Sequence, residues 1–142
     1  MIAVPEKLLT FEEFLDWLPE NDRRYELIEG VIVEMKPTGS HARVASLIGA
    51  KLFEQMIKMQ KPWFIPMPAA FVKPDANRAG YQPDVLILDD ETVKNAPLWA
   101  DSSTICRGES AKLVVEVRCS VPEVIPNPSS FPGQSGDPGS GH

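Results

Sequence analysis

Three acidic residues stand where acids are out of place. Asp84 follows Pro83 at the mouth of the apolar run Val85-Leu86-Ile87-Leu88, Glu116 interrupts Leu113-Val114-Val115-Glu116-Val117, and Glu26 lies between Tyr25 and Leu27. A carboxylate inside an apolar strand has to be paired or to hold a metal, because an isolated buried charge is very costly. Hard divalent ions want oxygen ligands, and Mg²⁺ typically takes one or two protein carboxylates and keeps several waters. An ion held this way makes hydroxide from water and stabilises charge that builds on a phosphoryl oxygen. The pattern is Pro83-Asp84, a strand, and about 30 residues on the triplet Glu116-Val117-Arg118 at the end of a second strand. The remaining acids lie in turns or on polar helix faces, where solvation accounts for them. Structural acids without chemistry are the plain alternative for these three as well.

The elements that would carry these residues follow from changes of period. Thr10-Phe11-Glu12-Glu13 is a capping box with Leu9 and Phe14 as its hydrophobic staple, so a short helix is expected over 11–18, stopped by Pro19. Tyr25-Glu26-Leu27-Ile28 and Val31-Ile32-Val33-Glu34-Met35 flank Glu29-Gly30, which predicts a hairpin with a two-residue turn. From Ser40 to Gln60, Val44, Leu47, Ile48, Leu52, Met56 and Met59 recur at helical spacing. Pro62 ends that helix, and Lys58 and Lys61 complement its dipole. Short strands are expected at 63–65 and 70–72, interrupted by Pro66 and Pro68, and two central strands at 85–88 and 113–117. The stretch 91–111 has poor periodicity and reads as loop. The fold class is α+β or mixed α/β, a mixed sheet covered by the long helix.

With 142 residues, 43% of them hydrophobic and 24% charged, the chain has room for one core and not for two. Fourteen prolines are about twice the usual ~5%. Five of them fall among the last 24 residues with four Gly, five Ser and no Lys or Arg, so a disordered tail is expected from about 121 onward. The division is a domain over 1–118 and a tail over 119–142. The net charge of −6 argues weakly against nucleic acid as a partner, since phosphates must be neutralised, but a carboxylate-rich metal site can be acidic overall and still carry a local basic strip. Cys106 and Cys119 have no CxxC partner and no nearby His, which predicts reduced thiols and no zinc site. No leader-like start and no apolar run of membrane-spanning length is present, so the expected address is the cytoplasm.

Several of these blocks occur in an order that resembles a known family. Leu9-Thr10-Phe11-Glu12-Glu13-Phe14, Asp22-Arg23-Arg24-Tyr25-Glu26-Leu27-Ile28-Glu29-Gly30, Ser40-His41, Gln82-Pro83-Asp84-Val85 and Leu113-Val114-Val115-Glu116-Val117 are similar to the Uma-two family of restriction endonuclease-like proteins, within the PD-(D/E)XK nuclease superfamily. The resemblance, over residues 8–117, implies a restriction-endonuclease-like core, a DNA substrate and a site for Mg²⁺ or Mn²⁺. Glu26, Asp84 and Glu116 would hold the ion, and Arg118 would stand in for the superfamily's lysine. His41 and Arg43, near the start of the long helix, would approach substrate.

The resemblance ends abruptly. Family members continue after the Glu-bearing strand into a lysine-bearing helix and an aromatic strand, whereas this chain runs Arg118-Cys119-Ser120-Val121-Pro122 into its tail. A frame shift or premature end in the coding sequence is the expectation drawn from this, with an uncovered sheet edge that invites association, for instance as a homodimer. Two functions follow: a metal-dependent endonuclease, or a catalytically inactive remnant serving as an interaction module.

Overall fold

Thr10 caps the first helix, α1 (Phe11–Trp17), in the expected box: its hydroxyl accepts from the Glu13 amide at 3.2 Å, and the Glu13 carboxylate accepts from the Thr10 amide at 3.2 Å. α1 buries Phe11 and Phe14 against Tyr25, Leu27 and Ile32. Edge-on ring contacts of Phe71 with Phe11 and Phe14, and of Trp17 with Tyr25, complete this cluster. The structure is a computed structural model that describes residues 7–67, 69–118 and 123–124.

The expected hairpin forms from β1 (Arg24–Ile28) and β2 (Val31–Met35). Glu29 and Gly30 both have positive φ, 49° and 82°, which is the turn handedness that matches the twist of two antiparallel strands. Then α2 (Gly39–Met59) begins with Thr38, whose hydroxyl accepts from the His41 amide at 3.2 Å. Its inward stripe is His41, Ala45, Ile48, Leu52 and Met56. The expected apolar face is therefore only partly right: Val44, Leu47 and Met59 stay exposed. A stripe begun by a histidine and an alanine carries little hydrophobic signal, so the bulkier neighbours dominate the sequence pattern.

The remaining strands are β3 (Trp63–Phe64), β4 (Phe71–Val72), β5 (Val85–Asp89), β6 (Thr104–Ile105), β7 (Ala111–Val115) and β8 (Glu123–Val124). They form three small sheets with orders β1-β2-β8, β3-β5-β7 and β4-β6. Residues 80–81 stitch the first sheet to the third, with Gly80 bridging Leu27 and Tyr81 bridging Val72. The architecture is mixed α+β, as expected for a restriction-endonuclease-like fold.

β5 is central and buried through Val85, Leu86, Ile87 and Leu88, as its uninterrupted apolar run implies. β7 is not central. It is the outer strand beside β5, and Leu113 and Val114 are 39% and 47% exposed, so this apolar run marks a strand covered on one edge only among the described residues. The antiparallel register pairs Val85 with Val115, which sets the start of β5 beside the end of β7 and so brings Asp84 to Glu116.

The stretch read as loop, 91–111, holds α3 (Trp99–Ser102), two 3₁₀ turns and β6, which runs parallel to β4. Elements of two to four residues are too short to show a period. The expected tail lies outside the described residues except for Glu123–Val124, which pair with Val33 and Glu34 of β2 as β8. Among the described residues no helix is long and apolar enough to cross a membrane.

Gly80 passes directly under Phe11, and a Cβ there would overlap the buried ring, whereas a Cβ on Gly49 of α2 meets nothing within 4 Å. Gly80→Ala should lose about 1–3 kcal/mol by overpacking, while Gly49→Ala should be neutral or gain up to about 1 kcal/mol of helix propensity. Urea denaturation of both variants checks this, and equal effects would contradict the packing described.

Candidate active site

Arg24 and Glu26 are two residues apart on β1, so they project from one face of the strand. The chain then returns through 80–84 alongside them. The Gln82 amide donates to Glu26 Oε1 at 3.0 Å, and Arg24 Nη2 donates to the Gln82 carbonyl at 2.6 Å. Pro83 is fully buried and delivers Asp84 to the mouth of β5, where its amide donates to the Val115 carbonyl of β7 at 3.1 Å.

Asp84 is the most heavily engaged side chain of the region. Its Oδ1 accepts from Arg24 Nη1 at 3.0 Å and from His41 Nε2 at 2.6 Å, and its Oδ2 accepts from the Val117 amide at 2.6 Å. Burial opposes charge on this carboxyl, but the Val117 amide, His41 and Arg24 outweigh it and hold Asp84 below the usual carboxylate range. An ionised Asp84 only accepts, so His41 carries its proton on Nε2.

The other two carboxyls are pushed the opposite way. Burial raises Glu26, partly offset by the Gln82 amide and by Arg24, while the Asp84 charge adds to the rise. Glu116 is pushed up to about 7 by partial loss of water together with the like charges of Glu26 and Asp84. Glu116 as a whole is exposed, so crowding by like charge is the durable part of that shift. Glu116 does not interrupt a buried strand as its sequence context implies; it lies just beyond the end of β7.

Glu26, Asp84 and Glu116 line one cleft of about 730 Å³, with Arg24, His41 and Arg118 on its walls. The three carboxylates read from the sequence thus meet at one place. Arg118 reaches the same cleft but is exposed and makes no ion pair among the described residues. Arg43 is exposed on α2 and is not among the cleft's lining residues. Arg24 is in direct contact with Asp84, a role that the sequence analysis does not assign it; the available signal is its position two residues before Glu26 on a predicted strand.

In donor type the cleft suits a hard divalent ion: all three candidate ligands are carboxylates, and their mutual repulsion is what a cation relieves. Among the described residues no group of three His, Cys, Asp or Glu side chains is arranged to hold an ion as it stands. Asp84 and Glu116 are the pair that the β5–β7 register brings together, with Glu26 behind them.

The family model Uma2, described as "Putative restriction endonuclease", matches residues 11–121. The chain belongs to the Uma2 family. The matched span runs from the first residue of α1 past Arg118, so every cleft residue named above lies within the Uma2 region. No curated protein and no solved structure matches the chain.

The raised Glu116 carboxyl gives a pH signature in chelator-treated protein. Its folded value of about 7 exceeds the ordinary 4.5, so the stability it contributes is present in full below pH 4.5 and is lost as pH rises through about 7. Glu116→Gln cannot ionise. The thermal midpoint of Glu116→Gln should therefore gain on that of the parent chain from pH 4.5 to above pH 7, and parallel curves would contradict the carboxylate crowding.

Proposed function

We propose that this Uma2 chain is a metal-dependent endonuclease that hydrolyses DNA phosphodiester bonds in the cleft between β1, β5 and the start of α2. The observation that carries the reading is the convergence of Glu26, Asp84 and Glu116 in one cleft, where burial and the like charges of Glu26 and Asp84 push the Glu116 carboxyl up to about 7. Asp84 and Glu116, with Glu26 beside them, would hold Mg²⁺ or Mn²⁺, which supplies a water of lowered pKa and a charge clamp on the phosphoryl oxygen when bound.

The chain's own residues do the rest. Asp84 stays ionised under its three donors and offers fixed negative charge. Arg24 places a permanent positive charge beside the three acids, and Arg118 on the open wall meets the phosphate backbone of an incoming strand. Neither guanidinium transfers a proton, because arginine stays charged at any working pH. A second reading, an inactive interaction module, draws on the apolar residues left open on β7 and α2, including Leu113, Val114, Phe53 and Ile57.

Supercoiled plasmid separates the two. With Mg²⁺ or Mn²⁺ the parent chain should nick it, and Asp84→Ala and Glu116→Gln should each lower the rate at least about 100-fold, the scale expected when a charge-stabilising group is lost. Nicking that survives both substitutions would place the activity elsewhere, and a parent chain inert with either ion would favour the interaction module.

A further inference from the structure

Asp84 is enclosed by donors from three separate parts of the chain. Arg24 comes from β1, His41 from the first turn of α2, and the Val117 amide from just beyond β7. A carboxylate has about four lone-pair sites, two on each oxygen. Oδ1 uses both of its sites on Arg24 and His41, while Oδ2 uses one on the Val117 amide; in the metal-free protein a protonated Glu116 is a further donor to this carboxylate.

We infer that Arg24 and His41 act as positioning residues that close Oδ1 of Asp84 and leave one site on Oδ2 as its sole metal-binding position. This rests on the metal reading proposed above and adds to it the way Asp84 binds, through one oxygen, and the two side chains that impose it. A bidentate grip on the ion is closed off, and the free site lies on the oxygen already tied to the strand end that carries Glu116.

Both clamping side chains are held rigidly enough for this task. His41 is buried, its ring is 2.6 Å from Oδ1, and its amide is bonded to the Thr38 cap, so the helix start fixes where the ring can go. Arg24 is forked between Asp84 Oδ1 and the Gln82 carbonyl, two residues before Asp84 in the chain. The fork ties the guanidinium to the backbone that carries the carboxylate. Its Nε is buried and has no hydrogen-bond partner among the described residues, so the fork geometry is kept at the expense of that donor. Partners of this kind, which touch a ligand and not the ion, typically affect metal affinity by ~10–100-fold.

The test uses the whole chain with His41→Ala, His41→Gln, Arg24→Ala, Arg24→Lys and, as a surface control, Lys51→Ala. Mn²⁺ titration by calorimetry should show His41→Ala and Arg24→Ala weakened about 10-fold or more. His41→Gln, which keeps a donor at the end of a planar amide, should stay within a few-fold of the parent chain, and Lys51→Ala should be unchanged. If Arg24→Ala does not fold, Arg24→Lys, which keeps the charge but not the fork, should show a smaller loss. Parent-like Mn²⁺ affinity in folded His41→Ala would overturn the inference.

Nuclear magnetic resonance on chelator-treated protein gives a reading free of metal. The Val117 amide proton, bonded to Oδ2, should shift in His41→Ala and Arg24→Lys as Asp84 reorients, and should not shift in Lys51→Ala. An unmoved Val117 amide in both clamp variants would overturn the positioning role. A parent chain that takes no Mn²⁺ while the Val117 amide still moves would overturn the metal reading and leave the clamp standing.

Discussion

A single carboxylate ties the described structure together. Asp84 is nearly buried, and burying a charge is tolerable only when hydrogen bonds and opposite charge replace its water. Those replacements come from the hairpin strand β1, the first turn of α2 and the backbone beyond β7, so the position of Asp84 depends on three elements packing correctly at once. The dependence also runs the other way. A bare charge at the mouth of β5 would oppose burial of that strand end beside β7.

The same constraint organises the charge around it. Asp84 is pinned low and ionised, while Glu26 and Glu116, which line the same cleft, are pushed up. Arg24 offsets part of the repulsion from its place on the strand that also carries Glu26. One acid fixed in its charged form beside others whose charge is costly is an arrangement in which a divalent cation has much to gain by entering. That is the property that the proposed nuclease chemistry requires, and it arises from the register of two strands and one hairpin.

Much of this was legible in the residues and some was not, for identifiable reasons. The capping box at Thr10, the Glu29-Gly30 turn and the buried β5 follow from local signals that the fold obeys, whereas the grouping of Glu26, Asp84 and Glu116 comes from the order of the blocks that resemble the family. β6 and α3 left no signal because elements of two to four residues complete no period. The inward face of α2 was misjudged because its first members are His41 and Ala45, while larger apolar residues point outward. The run of β7 reads as central because an apolar run does not say whether both edges are covered. Arg24 gives no sign of its role because an arginine in the charged stretch Asp22-Arg23-Arg24 looks solvated until the return of residues 80–84 puts Asp84 against it.

The proposed site has Asp84 and Glu116 sharing one divalent cation, with Asp84 contributing a single oxygen. Anomalous scattering from crystals of the whole chain grown with Mn²⁺ tests it most directly. One strong peak is expected within bonding reach of Asp84 Oδ2 and a Glu116 oxygen, with Arg24 and His41 still on Oδ1. A peak held elsewhere, a peak chelated by both Asp84 oxygens with His41 displaced, or no peak with the Asp84 contacts unchanged would contradict it.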